Sequence, residues 1–104
     1  MIFWLITYKH LPANGMAIFP FILLKNVAQK NDKVLINHEK IHLKQQLELF
    51  IIPFYILYLL FYLINLLRYK NHYQAYYHIP FEQEAYQNEQ KLNYLEHRRY
   101  YAWL

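Results

Sequence analysis

A run without charged side chains, residues 49–67, places the tightest constraint on how this chain can fold. As one helix rising roughly 1.5 Å per residue, the run would reach about 28 Å, close to the hydrocarbon thickness of a bilayer. Pro53 near its start shortens the regular helix, because proline inside a helix ends or kinks it. The run is therefore either a transmembrane helix or one arm of a compact domain, and the flanking segments decide between the two.

The segment before this run contains a His-Glu-x-x-His motif, written out as His38-Glu39-Lys40-Ile41-His42. Residues four apart lie on one face of an α-helix, so His38 and His42 can offer imidazole nitrogens to a single ion. Glu39 is offset by roughly 100° from His38, which leaves its carboxylate beside that ion, where it can take a proton from a bound water. The motif predicts half of a zinc site with a base next to it. The alternative is a pair of core histidines hydrogen-bonded to their neighbours.

The residues around the motif predict a helix with one solvated face. Polar residues recur at helical spacing as Lys33, Asn37, Lys40, Lys44 and Glu48. The two histidines lie roughly opposite this stripe, on the side of Ile41, Gln45, Leu49 and Ile52. We therefore expect the imidazoles to point into a packed or cleft-lining surface. Asn31 or Asp32 is a suitable N-cap for the helix.

The need for a third zinc ligand limits how residues 49–67 can fold. A zinc ion needs all of its ligands within about 2 Å. A single membrane span would separate the two histidines from everything after residue 68, and the run is too short to cross twice. If the third ligand lies downstream, we expect residues 49–67 to turn back as a hairpin arm, buried on one side and resting on lipid or a second subunit on the other.

The N-terminal segment predicts a β-hairpin. Residues 2–8 are β-branched and aromatic, residues 11–15 form a turn cluster, and residues 16–25 are a second apolar stretch. Asn14-Gly15 is a pair preferred where successive residues need positive φ. Pro20 places the second strand at a sheet edge or breaks it. An open edge could align an extended peptide, or the strand could simply cover the core.

The C-terminal third predicts an aromatic connector and a last helix. Residues 72–79 form the connector, and Pro80 suits the first turn of a helix running to about Trp103. The expected fold class is α+β, with an N-terminal β-hairpin followed by three helices. Residues 1–104 are expected to form a single domain.

A catalytic zinc usually has three protein ligands and one position for water. A continuation of the motif as H-E-x-x-H-x-x-G-x-x-H would need Gly and His where this chain has Gln45 and Glu48. Glu48 lies on the predicted solvated stripe, nearly two turns from His42, and cannot reach the ion. Periodicity does not choose among the remaining candidates, which are Glu82, Glu84, Glu89, His72, His78 and His97.

The motif followed downstream by Phe81-Glu82-Gln83-Glu84-Ala85 resembles the gluzincin metallopeptidases, in which a second helix supplies a Glu ligand three residues before a small Ala. Gln45 and Gln46 make the chain similar to small bacterial members that read H-E-x-x-H-x-x-Q. The resemblance covers the motif helix and the start of the last helix. Several gluzincin families continue Ala-Asp after that Glu, whereas this chain has Tyr86.

The resemblance implies a minimal zinc metallopeptidase acting on a peptide or protein substrate. Its zinc ligands would be His38, His42 and Glu82, with Glu39 as the general base. Glu84 is the alternative third ligand, and Glu82 could instead be an acid favoured by the dipole of the first helical turn. An oxyanion-stabilising group is expected among residues just before the last helix, namely Tyr73, Tyr76, Tyr77 and His78. The sequence does not rank these four, and each taken singly is more typical of aromatic packing.

Composition adds a second expectation about surfaces. Hydrophobic residues make up 57% of the chain and aromatic residues 20%. This is more apolar surface than a domain of this size can bury. Some of that surface should meet a membrane or another subunit. The net charge of +4 comes from scattered residues, which favours anionic lipid over nucleic acid as a partner.

Other features leave the compartment and one rival function open. Cysteine is absent, which excludes disulfides and Cys-ligated zinc. The N-terminal residues lack a basic region and a cleavage pattern, so they make a poor secretory signal, and we expect a bacterial cytoplasmic or membrane-associated protein. The rival is a non-catalytic membrane-surface or assembly protein with a structural metal site or none.

Overall fold

The strands lie at the N-terminus and the helices follow, so the α+β fold class is confirmed. The computed structural model describes residues 2–104. The strands are β1 (Trp4–Thr7), β2 (Gly15–Ile18) and β3 (Phe21–Leu24), and a short 3-10 helix spans Val27–Asn31. The helices are α1 (Lys33–Glu48), α2 (Ile52–Tyr69), α3 (His72–Tyr77), α4 (Pro80–Asn88) and α5 (Tyr94–His97).

The sheet differs from the predicted hairpin. Its strand order is β1-β3-β2, with β1 parallel to β3 and β2 antiparallel to β3. The second apolar stretch splits into two strands at Phe19-Pro20, a cis peptide, and these two strands pair with each other. Ile22 and Leu24 on β3 are fully buried against α1, so β3 is the central strand and β1 pairs with its far edge. The predicted hairpin between residues 2–8 and 16–25 was wrong in its direction, because β1 does pair with the second stretch, through β3, but in parallel. Hydrophobicity marks strands but not their order or direction.

Gly15 is required for a close approach and not for a turn. The expectation of a positive φ is wrong, since no glycine has one, and Gly15 begins β2. A Cβ at this position would lie 3.1 Å from Leu35 Cδ1 and 3.2 Å from Glu39 Oε2. The missing side chain therefore lets β2 lie directly against the motif face of α1.

Helix α1 is capped by Asp32, whose side chain accepts a hydrogen bond from the Leu35 N–H at 3.0 Å. Two members of the predicted solvated stripe are not solvated. Asn37 is buried and donates to backbone carbonyls beyond α4, and the Glu48 carboxylate is paired with Arg98. The C-terminal segment covers both, which helical periodicity alone cannot reveal.

The chain reverses direction between α1 and α2. Phe50 and Ile51 have positive φ values of 58° and 70°, and Pro53 follows in the first turn of α2. The proline thus stands at the predicted break. Residues 49–67 turn back as expected, so Tyr58 on α2 reaches Glu82 on α4.

The C-terminal third contains more helices than predicted. Most of the expected connector is helix α3, capped by Asn71, whose side chain accepts from the Gln74 N–H at 3.0 Å. The expected last helix ends at Asn88 instead of near Trp103. Its end is held by Asn37 Nδ2, which donates to the carbonyls of Asn88, Glu89 and Lys91.

Two apolar clusters flank the C-terminal half of α1. One joins the sheet to α1 through Ile22, Leu24 and Leu43. The other joins α2 to α4 through Phe54, Ile79 and Phe81. Phe54 of the second cluster lies next to His42, with 6.4 Å between ring centroids, so this side of the motif rests on packed side chains.

Candidate metal centre

Three side chains from two helices converge on one point. His38 Nε2 lies 3.2 Å from His42 Nε2, and Glu82 Oε1 lies 3.2 Å from the first and 3.0 Å from the second. All three residues are buried, and together they form a group that could hold a metal ion. Helix α1 supplies two donors at i and i+4, and the first turn of α4 supplies the third.

The donor set suits a small divalent cation. A tetrahedral ion with bonds of about 2.0–2.1 Å, such as zinc, holds its donors roughly 3.3 Å apart. The observed triangle has sides of 3.0–3.2 Å, so only a slight opening is needed to admit such an ion. Two imidazoles and one carboxylate are also the ligand types that catalytic zinc sites use.

Gln45 fixes the orientation of His42. The Nδ1–H of His42 donates to Gln45 Oε1 at 2.8 Å, which turns Nε2 toward the centre. Gln45 Nε2 in turn donates to the Phe81 carbonyl at 3.0 Å and to Glu84 Oε1 at 2.9 Å. One amide therefore ties the histidine on α1 to the helix that carries the third donor.

The Glu89 carboxylate lies next to the ring nitrogen of His38 that faces away from the centre. Its Oε2 lies 3.5 Å from His38 Nδ1, and the ring of Tyr86 packs edge-on against the same imidazole with 4.6 Å between centroids. A carboxylate at the outer nitrogen keeps the inner nitrogen available for a ligand. Glu89 is thus the acidic side chain next to the outer nitrogen of His38.

The second oxygen of Glu82 is held by Tyr58, whose hydroxyl donates to Oε2 at 2.6 Å. Burial opposes ionisation of Glu82, but His42 and the hydrogen bonds from His38, His42 and Tyr58 hold its pKa well below its usual range. Burial likewise disfavours the charged form of His42, yet the Glu82 carboxylate raises its pKa to about 9. The Glu82 carboxylate therefore stabilises a positive charge at the centre, whether that charge is a proton or a metal cation.

Glu39 lies next to the triangle and lines the adjoining cleft. Burial raises the pKa of its carboxyl; the neighbouring His42 and His38 oppose this, while Glu82 and Glu89 add to it. A carboxylate with a raised pKa is a stronger base than one in water. That property suits a group that takes a proton from a bound water.

The cleft beside the centre has a volume of about 440 Å³. Apart from the polar centre itself, its walls are largely apolar, formed by β2 and by Phe54 and Tyr55 of α2. In β2, Asn14 accepts a hydrogen bond from the Lys25 N–H, so Gly15 and Ala17 direct their backbone groups toward the opposite edge, beside the cleft. The Ala17 carbonyl at that edge already accepts from Gln46 Nε2 at 2.8 Å.

Glu84, the alternative third ligand, points away from the centre. Its carboxylate accepts hydrogen bonds from Gln45, Tyr94 and Arg98. Arg98 also binds Glu48 through Nη1 and Nη2 at 2.9 and 2.8 Å. Glu84 is thus committed to a buried ion-pair network that anchors the C-terminal segment.

The remaining sequence candidates are also accounted for. His72 is hydrogen-bonded to the Tyr62 hydroxyl, and His78 to the Gln74 carbonyl. His97 lies in α5. Of the four oxyanion candidates, Tyr76 lines the cleft, and its hydroxyl lies 2.6 Å from that of Tyr86. Tyr73 is exposed, Tyr77 packs against Tyr73, and His78 stacks on Tyr69.

Two residues that hold the buried glutamates of α4 were not predicted. Tyr58 belongs to a stripe of polar side chains along α2, but only the fold-back of α2 brings its hydroxyl to Glu82. Arg98 is one of several basic residues in the tail, and its spacing gives no sign that it is buried between two glutamates.

Comparison with known proteins gives this chain no relative from which a role could be transferred: no family model matches it, and neither a curated protein nor a solved structure is significantly similar to it.

Proposed function

We propose that this protein is a zinc-dependent metallopeptidase of the gluzincin kind, with His38, His42 and Glu82 as zinc ligands and Glu39 as general base. The observation that carries the proposal is the triangle of donor atoms with sides of 3.0–3.2 Å. It opens on a cleft that also contains the Glu39 carboxylate. Three protein donors beside a cleft are typical of a catalytic zinc site, whereas structural sites are closed by four.

A bound zinc ion would lower the pKa of a water molecule and polarise the scissile carbonyl. Glu39 would accept a proton from the attacking water as the water oxygen bonds to the carbonyl carbon. The same carboxyl would then give the proton to the amine that leaves when the C–N bond breaks.

The cleft edge supports an extended peptide as substrate. Gly15 directs its backbone groups, and Ala17 its N–H, toward this edge, where they can pair with a peptide as an added strand, whereas the Ala17 carbonyl is already bonded to Gln46. The absence of a side chain at Gly15 lets the edge lie close to Glu39. The apolar walls favour aliphatic or aromatic side chains next to the cleaved bond.

Tyr76 is the phenol proposed to stabilise the oxyanion. It is the only one of the four sequence candidates that lines the cleft. Burial raises the pKa of its hydroxyl, and the Glu82 carboxylate raises it further, so it stays a neutral donor.

The test combines metal content with peptide cleavage. We expect one zinc per chain in the wild type by mass spectrometry of the intact protein, and loss of that zinc in His42→Ala and Glu82→Ala. Glu39→Gln should keep the zinc but lose roughly 10²- to 10⁴-fold in the rate of cleaving a peptide library. Glu96→Gln, at an exposed position of α5, makes the same change of charge and should leave the rate unaltered.

Two results would overturn the proposal. One is a wild type without stoichiometric zinc. The other is a Glu39→Gln variant that cleaves peptides as fast as the wild type. Zinc binding without inhibition by a hydroxamate would instead favour the rival, a non-catalytic protein with a structural metal.

A further inference from the structure

The outward face of α2 is made mainly of aliphatic side chains. They recur at helical spacing and are all exposed: Ile52, Ile56, Leu59, Leu60, Leu63, Ile64 and Leu67. Phe50, in the turn before α2, is 85% exposed and extends the same apolar surface. We call this set the apolar face of α2. At about 1.5 Å per residue the helix carrying it is roughly 27 Å long.

Three polar side chains in the middle of α2 face the protein instead of the solvent. Tyr58 donates to Glu82, Tyr62 bonds to His72, and Asn65 donates to the Ala75 carbonyl. This is the reverse of a surface helix in water, which turns its polar side outward. Within residues 2–104, α2 is the one helix with the length and apolarity to cross a bilayer, with a mean hydropathy of 1.5 and only 11% of it buried.

The contacts of α2 exclude a simple crossing. The Tyr58 hydroxyl lies 2.6 Å from Glu82 Oε2, so the body of the protein lies alongside the first half of the helix. Asn65 binds α3 in the same way along the second half. A helix flanked by protein along its length can present only its free side to lipid.

Charge distinguishes a lipid surface from a second copy of the chain. Residues 49–81 contain no Asp or Glu, while Arg68 and Lys70 are exposed at the end of α2. A copy docked through the same face would bring no acid from this segment to pair with these cations. Anionic headgroups beside the hydrocarbon would pair with them.

We propose that the apolar face of α2 lies flat on an anionic lipid bilayer, with its aliphatic side chains among the acyl chains and with Arg68 and Lys70 at the headgroups. Membrane binding of this kind combines buried apolar area with attraction to anionic lipid. Tyr58 lies on the opposite side of the same helix. If the proposed peptidase function holds, the metal centre stands about one helix diameter, roughly 10 Å, above the lipid, and its substrates are peptide segments close to the membrane.

The first test measures binding of the full chain to vesicles by flotation. We expect binding to vesicles of phosphatidylcholine with phosphatidylserine and much weaker binding to phosphatidylcholine alone. Leu59→Gln with Leu63→Gln should weaken binding at least tenfold, because it places two amides in the hydrocarbon. Val27→Gln with Leu92→Gln changes two exposed apolar residues elsewhere and should not.

The second test removes the cations. Arg68→Gln with Lys70→Gln should weaken binding to anionic vesicles by roughly tenfold or more. Lys30→Gln with Lys33→Gln, also exposed, lowers the net charge equally and should have a smaller effect. Circular dichroism checks that all variants stay folded, and zinc content and peptide cleavage are measured separately, so failure of lipid binding is not confused with failure of the enzyme.

Three results would overturn the proposal. A wild type that floats with neither kind of vesicle is one. A dimer in sedimentation equilibrium that dissociates with Leu59→Gln and Leu63→Gln would make this face an interface between copies. Protease accessibility that places His42 and residues after 68 on opposite sides of sealed vesicles would make α2 a crossing helix.

Discussion

Gln45 accepts a hydrogen bond from His42, with 2.8 Å between Oε1 and Nδ1. Its amide nitrogen faces the other way, toward the Phe81 carbonyl and Glu84 on the side of α4. The histidine ring and the helix that carries Glu82 are thus held by one side chain. This places Gln45 between the candidate metal centre and the ion-pair network of the C-terminal segment.

Replacing Gln45 should weaken metal binding. Gln45→Leu leaves the Nδ1–H of His42 without an acceptor, and we expect zinc affinity to fall about 10- to 100-fold. The measurement is a competition titration against a chromophoric chelator. Gln46→Leu is the matched control, because Gln46 is equally buried but binds Ala17 and Phe19 of the sheet region. Equal losses of affinity in both variants would contradict a specific role for Gln45.

Arg98 should be a principal determinant of stability. Its side chain is 4% exposed and pairs with Glu48 and Glu84, so Arg98→Met leaves two buried carboxylates without their partner. We expect the free energy of unfolding to fall by about 3–5 kcal/mol, measured by urea titration. Arg99→Met removes an exposed neighbour with the same charge and should change it by less than about 1 kcal/mol. Similar losses in both variants would show that the network contributes little.

The same network predicts a pH dependence. Burial raises the pKa of Glu48, but the hydrogen bonds from Arg98 and from the Tyr101 N–H outweigh it and lower the pKa below its ordinary value of 4.5. A carboxyl with a lowered folded-state pKa stabilises the protein fully above the unfolded-state pKa and loses that contribution as pH falls through the folded-state pKa. The stability gained from Glu48 should therefore be constant near neutrality and decline below about pH 4.5.

Urea titrations of wild type and Glu48→Gln between neutral and acidic pH check this dependence. The difference in free energy of unfolding should be largest near neutrality and shrink as the solution is acidified. A difference that stays constant into the acid range would mean that the Glu48 charge contributes nothing.

Gly15→Ala should affect catalysis more than metal binding. The added methyl group would lie 3.1 Å from Leu35 Cδ1 and 3.2 Å from Glu39 Oε2, closer than ordinary contact. The Glu39 carboxylate has to shift by a few tenths of an ångström, and we expect kcat/KM for peptide cleavage to fall roughly three- to tenfold. Zinc content should be unchanged, because Gly15 does not contact the ligands. An unaltered rate would show that the approach of β2 to Glu39 is not needed.

The sequence predicted where strands form but not how they pair. Two apolar stretches predicted strands, and strands form there, but the second stretch forms two strands instead of one, and β1 pairs with β3 in parallel instead of antiparallel. Strand formation depends on side chains that suit an extended, half-buried backbone. Pairing depends on which strand can bury both Ile22 and Leu24 against α1, and that comparison involves the whole sheet.

The choice between Glu82 and Glu84 as third ligand also depends on tertiary packing. Both acids are on α4, both are buried, and residues two apart point to nearly opposite sides of a helix. The rotation of α4 about its axis decides which of them meets the histidines. Packing of Phe81 against Phe54 and binding of Glu84 by Arg98 set that rotation.

The sequence by itself determined that His38, Glu39 and His42 share one part of a helix, because that relation needs only four residues of regular backbone hydrogen bonding. It also determined the break at Pro53, since proline lacks an N–H to donate. Only the tertiary structure decided that Glu82 and Tyr58 complete the group, and that α2 turns its polar side inward. Those relations join residues far apart in the chain, and they depend on how whole elements pack against one another.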